Sequence, residues 1–144
     1  FILIFPFCSP QLSHKKWPYF NSLIKIIKLN HSNLEIALAP ADNEIEEAKT
    51  ISATTIINDE KPLNIMQLAG LIKKASYIIA NDTGPAHMAA HLDKNGIVLF
   101  GYHTTAKKVS IETEKFKALS VNDLSKLSAE DVYSAIKDKL NLVN

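Results

Sequence analysis

Apolar runs and helical periodicities take turns along the whole chain. The run "ILIF" at 2–5 has the length and composition of a short buried strand. From Pro18 onward, Phe20, Leu23, Ile24 and Ile27 recur at helical spacing, and Pro18 suits a helix's first turn. "LEIALA" at 34–39 predicts a second strand, a polar helical pattern follows over 43–52, and "TTIIN" at 54–58 predicts a third strand. Asn64 opens the next helix with Gln67 three residues on, the arrangement of a capping box. Its expected buried stripe is Ile65, Leu68, Ala69 and Ile72. "YIIA" at 77–80 and "GIVLFG" at 96–101 read as the fourth and fifth strands, with a helix over 84–92 between them. "FKALSV" at 116–121 is a sixth strand. Ser128 with Asp131 caps a last helix whose apolar face is Val132, Ala135, Ile136 and Leu140.

Strands that are apolar throughout, separated by amphipathic helices, are buried on both faces, so the sheet they form is parallel and covered on each side. The fold class is therefore α/β, a Rossmann-like three-layer αβα parallel sheet, and the whole of 1–144 reads as one such domain without repeats or linkers. With the usual strand order 3-2-1-4-5-6, strands one and four are neighbours and the crossover direction reverses between them. Their C-terminal loops then open a crevice that binds ligands. The two loops concerned, "PFCSPQLSHKKWP" and "NDTGPAH", are chemically the most loaded in the chain.

Composition narrows the partners. With 47% hydrophobic residues in 144 there is enough chain for a real core, and a formal net charge of +1 argues against a general nucleic-acid or membrane-surface binder. All 16 basic residues are lysine, so a phosphate site here must use ammonium groups, backbone N–H groups and hydroxyls, not guanidinium forks. The single cysteine, Cys8, cannot make an internal disulfide, which favours a reducing compartment; its expected role is a bland, packed thiol. No apolar run approaches the roughly 20 residues of a membrane span. The opening "FILIFPF" lacks a basic leader and ends in proline, so it reads as a strand and not a signal peptide. The chain begins without Met and has the look of a piece of something longer.

In the fourth-strand loop, Thr83 or Gly84 can cap the helix, Pro85 suits its first position, and the free N–H groups face the crevice. A helix N-terminus with a glycine for close approach is an anion site, best filled by phosphate. Asp82 is unexpected beside a phosphate. It can accept hydrogen bonds from a sugar or a loop N–H, or act through water or a cation, and Lys15 from the first loop supplies positive charge. The same run is also compatible with a plain, well-capped turn, as Lys15 and Lys16 are with a solvated surface; Trp17-Pro18 reads as a packing anchor. Other chemistries find no support. No G-x-G-x-x-G or G-x-x-x-x-G-K-[ST] is present, and Met88 stands between His87 and His91 where a zinc protease needs its glutamate. No metal is expected there, and most of the carboxylates of "DNEIEEAK" belong to a solvated helix start.

The run "NDTGPAHMAAHLDKNGIVLFG" resembles the signature of the lipopolysaccharide heptosyltransferases, glycosyltransferase family nine, and "KKWP" resembles that family's Lys-x-Trp-Pro. "LNIMQLAGLIKKASYIIA" and "DLSKLSAEDVYSAIKDKL" are similar to the family's segments before the signature and at its close, so the resemblance covers nearly the whole chain. It implies the C-terminal, donor-binding half of a GT-B glycosyltransferase, which transfers heptose from ADP-heptose to a lipopolysaccharide-core acceptor with inversion. No cofactor and no obligatory metal are implied; the acceptor and the general base belong to an N-terminal domain outside this sequence. Carried onto matching positions, Lys15 neutralises the donor diphosphate, Thr83 and Gly84 bind phosphate, Asp82 orients the heptose and His87 supports the site. Glu44 holds the ribose and Leu63 lies near adenine. A cytoplasmic location follows, peripheral at the inner membrane's cytoplasmic face. Three departures bear on the donor sugar: the loop "FCSPQLSH" is poor in glycine and threonine, Asp93 and Asn95 replace a Gly and a Pro, and "FGYHTTAKK" stands where Phe-Gly-Pro-Thr is common. The competing reading, of a different class, is a stand-alone nucleotide-binding module without catalysis.

Overall fold

Four of the six short strands are buried on both faces, while the two outermost, Thr54–Thr55 and Phe116–Ser120, keep exposed residues. The computed structural model describes residues 1–142. Its strands are β1 (Ile2–Phe5), β2 (Ile36–Leu38), β3 (Thr54–Thr55), β4 (Tyr77–Asn81), β5 (Gly96–Phe100) and β6 (Phe116–Ser120). They form one parallel sheet in the order β3-β2-β1-β4-β5-β6, as the alternation of patterns predicts. The helices are α1 (Phe20–Asn30), α2 (Ile45–Ala48), α3 (Ile65–Lys74), α4 (Gly84–His91), α5 (Ala106–Val109) and α6 (Ala129–Asn141).

Alternate side chains of each strand feed two separate cores. Ile2, Ile4, Ile79 and Leu99 point to the layer made by α1 and α6, where Leu23, Ile27, Val132 and Ile136 meet them. Leu3, Phe5, Ile78, Val98 and Phe100 point to the opposite layer, where Ile72 of α3 and the alanines of α4 pack. Ala86, Ala89 and Ala90 let α4 lie close against the sheet, which fixes the position of its N-terminus. The expected caps are present. Asn64 accepts from the N–H groups of Met66 and Gln67, and the Gln67 side chain returns to the Asn64 N–H at 2.9 Å. The Ser128 hydroxyl accepts from the Asp131 N–H at the start of α6.

Three expectations need correction. The helical pattern over 43–52 is realised only as a 3-10 turn at Asp42–Glu44 and one α turn at Ile45–Ala48, because the polar stretch has little apolar face to bury. The third strand holds only Thr54–Thr55, since it lies at the sheet edge with one neighbour to pair with. Ile65 is exposed and so is Ala135. The first turn of α3 projects beyond the sheet, and on α6 the half-buried Tyr133 packs against the core.

Gly96 is required by packing. A Cβ there would lie 2.4 Å from the Phe116 ring and 2.8 Å from the Ile78 carbonyl oxygen. The backbone of β4 cannot retreat without breaking its own ladder. Gly96→Ala should therefore lower unfolding free energy by about 1–3 kcal/mol, the range for overpacking; chemical denaturation of the two proteins checks it.

Candidate functional site at the switch point

The loops after β1 and β4 meet above adjacent strands, as parallel pairing of Phe5 with Ala80 requires. One residue ties them. Asn81, fully buried, donates from its side chain to the Pro6 carbonyl at 2.8 Å and accepts from the Trp17 N–H at 3.1 Å. The whole excursion from Pro6 to Trp17 is thus anchored at both ends to β4. Trp17, 1% exposed, closes the anchor by donating its indole N–H to the Leu127 carbonyl at 2.8 Å. Between these points Pro10–Lys15 winds as 3-10 turns and delivers Lys15 over Asp82.

Asp82 is the electrostatic centre. Its Oδ2 accepts from Lys15 Nζ at 2.8 Å and from His103 Nε2 at 3.1 Å, while Oδ1 lies 3.3 Å from His87 Nε2. Burial alone would raise the carboxyl's pKa, but the bonds from Lys15 and His103, the Lys15 charge and the His87 bond outweigh it. The carboxyl is held below its ordinary value. His103 is also lowered, first by burial and then by the charges of Lys15 and His14, against the opposing pull of Asp82. Both shifts have the same consequence. Above the ordinary histidine value neither folded nor unfolded His103 takes a proton. Below it the unfolded chain gains one that the folded chain refuses, and stability falls. The contribution of Asp82 is intact above its ordinary value and is lost as pH falls through its lower folded value. Stability measured by denaturant should hence decline in two stages, one beginning near pH 6.5 and one near pH 3.8, the ordinary values of these groups. His103→Phe should remove the first stage and, by taking one bond from Asp82, reduce the second.

Lys16 takes no part in this cluster. It pairs with Glu47, and its ammonium sits 5.8 Å over the Phe7 ring. Cys8, half-buried, donates to the Leu12 carbonyl at 3.2 Å, and its thiol pKa is raised by burial, so it is a poor nucleophile. His91 bonds to the His87 carbonyl at 2.8 Å. Among the described residues no group of three or more His, Cys, Asp or Glu is placed to hold a metal ion.

Two adjoining cavities of about 290 Å³ each make the cleft. One is polar and contains Lys15, Asp82, Gly84 and His87; the other is largely apolar and contains Phe5, Phe7, Pro40, Leu63 and Leu68; Glu44 and Thr83 belong to both. All seven residues singled out in the sequence therefore line one continuous cleft, with Leu63 at the end remote from Asp82. Glu44 spends Oε2 on the Ala41 N–H at 2.8 Å, and burial raises its carboxyl against that bond and the Lys16 charge. Thr83 occupies the N-cap of α4 with extended backbone, yet its hydroxyl does not cap. That hydroxyl is buried and bonds to no described residue. Gly84 takes the first helical position and Pro85 the second. Two contributors escaped the sequence reading. Asn81 was visible only as part of the signature, and His103 only as a departure after β5. The available signal for His103 was its place just past the C-terminal end of the strand beside β4.

No helix among the described residues is long and apolar enough to cross a membrane. The profile of glycosyltransferase family 9 (heptosyltransferase) matches residues 1–136. The lipopolysaccharide core heptosyltransferase OpsX of Haemophilus influenzae is 31% identical over 107 residues, which is 71% of this chain and 30% of that protein. E. coli heptosyltransferase WaaC with ADP-2-deoxy-2-fluoro heptose superimposes with a TM-score of 0.80 at 21% identity, over 96% of this chain and 42% of that one. E. coli ADP-heptose lps heptosyltransferase II does so with a TM-score of 0.79 at 17% identity, over 98% and 46%. The chain spans less than half the length of these relatives. Its fold matches that of the Rossmann-like C-terminal domain of GT-B heptosyltransferases. Motifs at the switch point, the sheet that carries them and the match over 1–136 agree, and the chain belongs to glycosyltransferase family 9.

Proposed function

We propose that this domain binds the ADP portion of an ADP-sugar, ADP-heptose by family, and forms the donor half of an inverting glycosyltransferase acting on a lipopolysaccharide-core acceptor. The observation that carries the reading is the pair Thr83–Gly84. Gly84 has no positive φ, and a Cβ added there meets nothing within 4 Å, so the fold does not demand glycine. What a missing side chain allows is close approach from the cleft. Beside it the Thr83 hydroxyl is buried without a bond to any described residue, a costly arrangement unless a ligand oxygen completes it. Gly84 N–H, that hydroxyl and Lys15 converge on one anion.

The diphosphate then lies in the polar cavity and adenine in the apolar one, between Leu63 and Phe7, with the ribose at Glu44, which lines both. Asp82 takes a sugar hydroxyl on acceptor capacity that the protein leaves over, and His87 steadies that carboxylate. During transfer the acceptor oxygen attacks the anomeric carbon and ADP departs. Lys15 and the α4 N-terminus stabilise the charge growing on the leaving diphosphate, groups already oriented before reaction. The base that removes the acceptor's proton belongs to a domain outside this chain.

Calorimetry with ADP, UDP and NAD should show ADP preferred. Gly84→Val should leave folding intact and weaken ADP at least tenfold, about 1.4 kcal/mol. Preference for UDP or NAD, or unchanged ADP affinity in folded Gly84→Val, would overturn the assignment. The domain alone should transfer no sugar, and measurable transfer by it would remove the half-enzyme reading.

A further inference from the structure

We propose that His103 is a positioning residue that anchors the Asp82 carboxylate, so that the Lys15 ammonium can turn to a bound diphosphate; this rests on the ADP-sugar reading above. A buried carboxylate whose sole partner is a lysine cannot release that lysine, because removing one partner of a buried pair leaves an uncompensated charge. Asp82 is in a different situation. Its side chain is 4% exposed, and two imidazoles bond to it besides Lys15.

Of the two imidazoles, His103 is the immobile one. Its side chain is 4% exposed against 32% for His87. Its ring stacks on Phe100 with centroids 5.8 Å apart and meets the His14 ring edge-on at 5.6 Å. An ionised carboxylate only accepts, so Nε2 carries the proton toward Asp82. Nδ1 is then a bare lone pair, buried and without a partner among the described residues. A second proton would put an unpaired N–H there, next to Lys15 and His14, so the ring stays neutral. The groups facing it are Asp82 and His87 from the β4–α4 junction and Lys15 and His14 from the β1 loop.

The contrast with Lys15 gives the division of labour. Lys15 is 20% exposed, has a flexible stem and carries three protons, of which Asp82 takes one. A phosphate oxygen can take another, or draw the ammonium across, while His103 stays fixed on Oδ2. His103 stands in the run "GYHTT", within one of the three departures from the family pattern.

The test compares ADP with adenosine, which lacks the groups that Lys15 would hold. Wild type, His103→Phe and His103→Gln are titrated with each ligand by ligand-observed NMR at pH 7.5, folding being checked by circular dichroism. Phenylalanine keeps the ring packing and removes the donor; glutamine returns a neutral N–H donor. His103→Phe should bind ADP about tenfold more weakly with adenosine unchanged, and His103→Gln should recover most of the loss. Unchanged ADP affinity, an equal fall for both ligands, or no recovery with glutamine would overturn the proposal. A wild type that does not bind ADP would instead overturn the ADP-sugar reading. Nitrogen-15 NMR of the wild type needs no variant: the Nε2–H tautomer is expected, and an Nδ1–H tautomer or an imidazolium at pH 7.5 would refute the role.

Discussion

Asn81→Leu should destabilise the domain by about 3 kcal/mol or more and abolish detectable ADP binding. Leucine fills nearly the same volume, so the effect isolates hydrogen bonding from packing. The Pro6 carbonyl loses its donor and the Trp17 N–H loses its acceptor, in a place where water does not replace them. Each buried orphan costs about 1–3 kcal/mol, against a whole-domain stability of roughly 5–15 kcal/mol. Function suffers because the segment from Pro6 to Trp17 is the one that brings Lys15 to Asp82. Urea unfolding and calorimetry with ADP read the two effects. A variant of wild-type stability would mean that the two loops are held by something other than Asn81.

Lys15→Ala and Lys16→Ala should behave as opposites despite their adjacency. Among the described residues Lys15 is the one alkyl-ammonium partner of a carboxylate that is 4% exposed. Its loss should cost about 2 kcal/mol of stability, less than the 3–5 kcal/mol typical of a broken buried pair, because His103 and His87 still bond to Asp82. The Asp82 carboxyl should titrate at higher pH than in wild type, so the acid stage, whose onset the unfolded value sets, becomes smaller. ADP affinity should fall more than tenfold, since the charge facing the diphosphate is gone. Lys16 is 35% exposed and pairs with a half-exposed Glu47, an arrangement worth well under about 1 kcal/mol. Lys16→Ala should leave ADP affinity within about twofold of wild type. Equal losses from the two substitutions would show a diffuse basic surface in place of a built site.

The physical basis for reading so much from residues alone is periodicity. Ile78 and Ile79 point to opposite cores because a strand has period two, and Ile72 is buried because a helix brings it round to the sheet. The order of such segments fixes a parallel sheet, and the sheet's handed crossovers fix the switch point. The edges were less legible. The stretch 43–52 has helical residues without an apolar face, so its helix stops after one turn, and Ile65 fits the stripe but projects past the sheet it was expected to meet.

The chain by itself therefore determined the fold class, the strand order, the caps of α3 and α6, and the set of loops that carry the chemistry. These follow from local spacing and from topology, both of which are written in linear order. Only the tertiary structure decided that Lys15 bonds to Asp82 directly, that Asn81 clasps the loop that carries it, and that His103 completes the carboxylate's partners. Those contacts join residues 67, 64 and 21 positions apart. They depend on the path of an irregular loop and on side-chain rotamers, for which linear spacing supplies no rule. Periodicity ends where the strands end, and the site begins there.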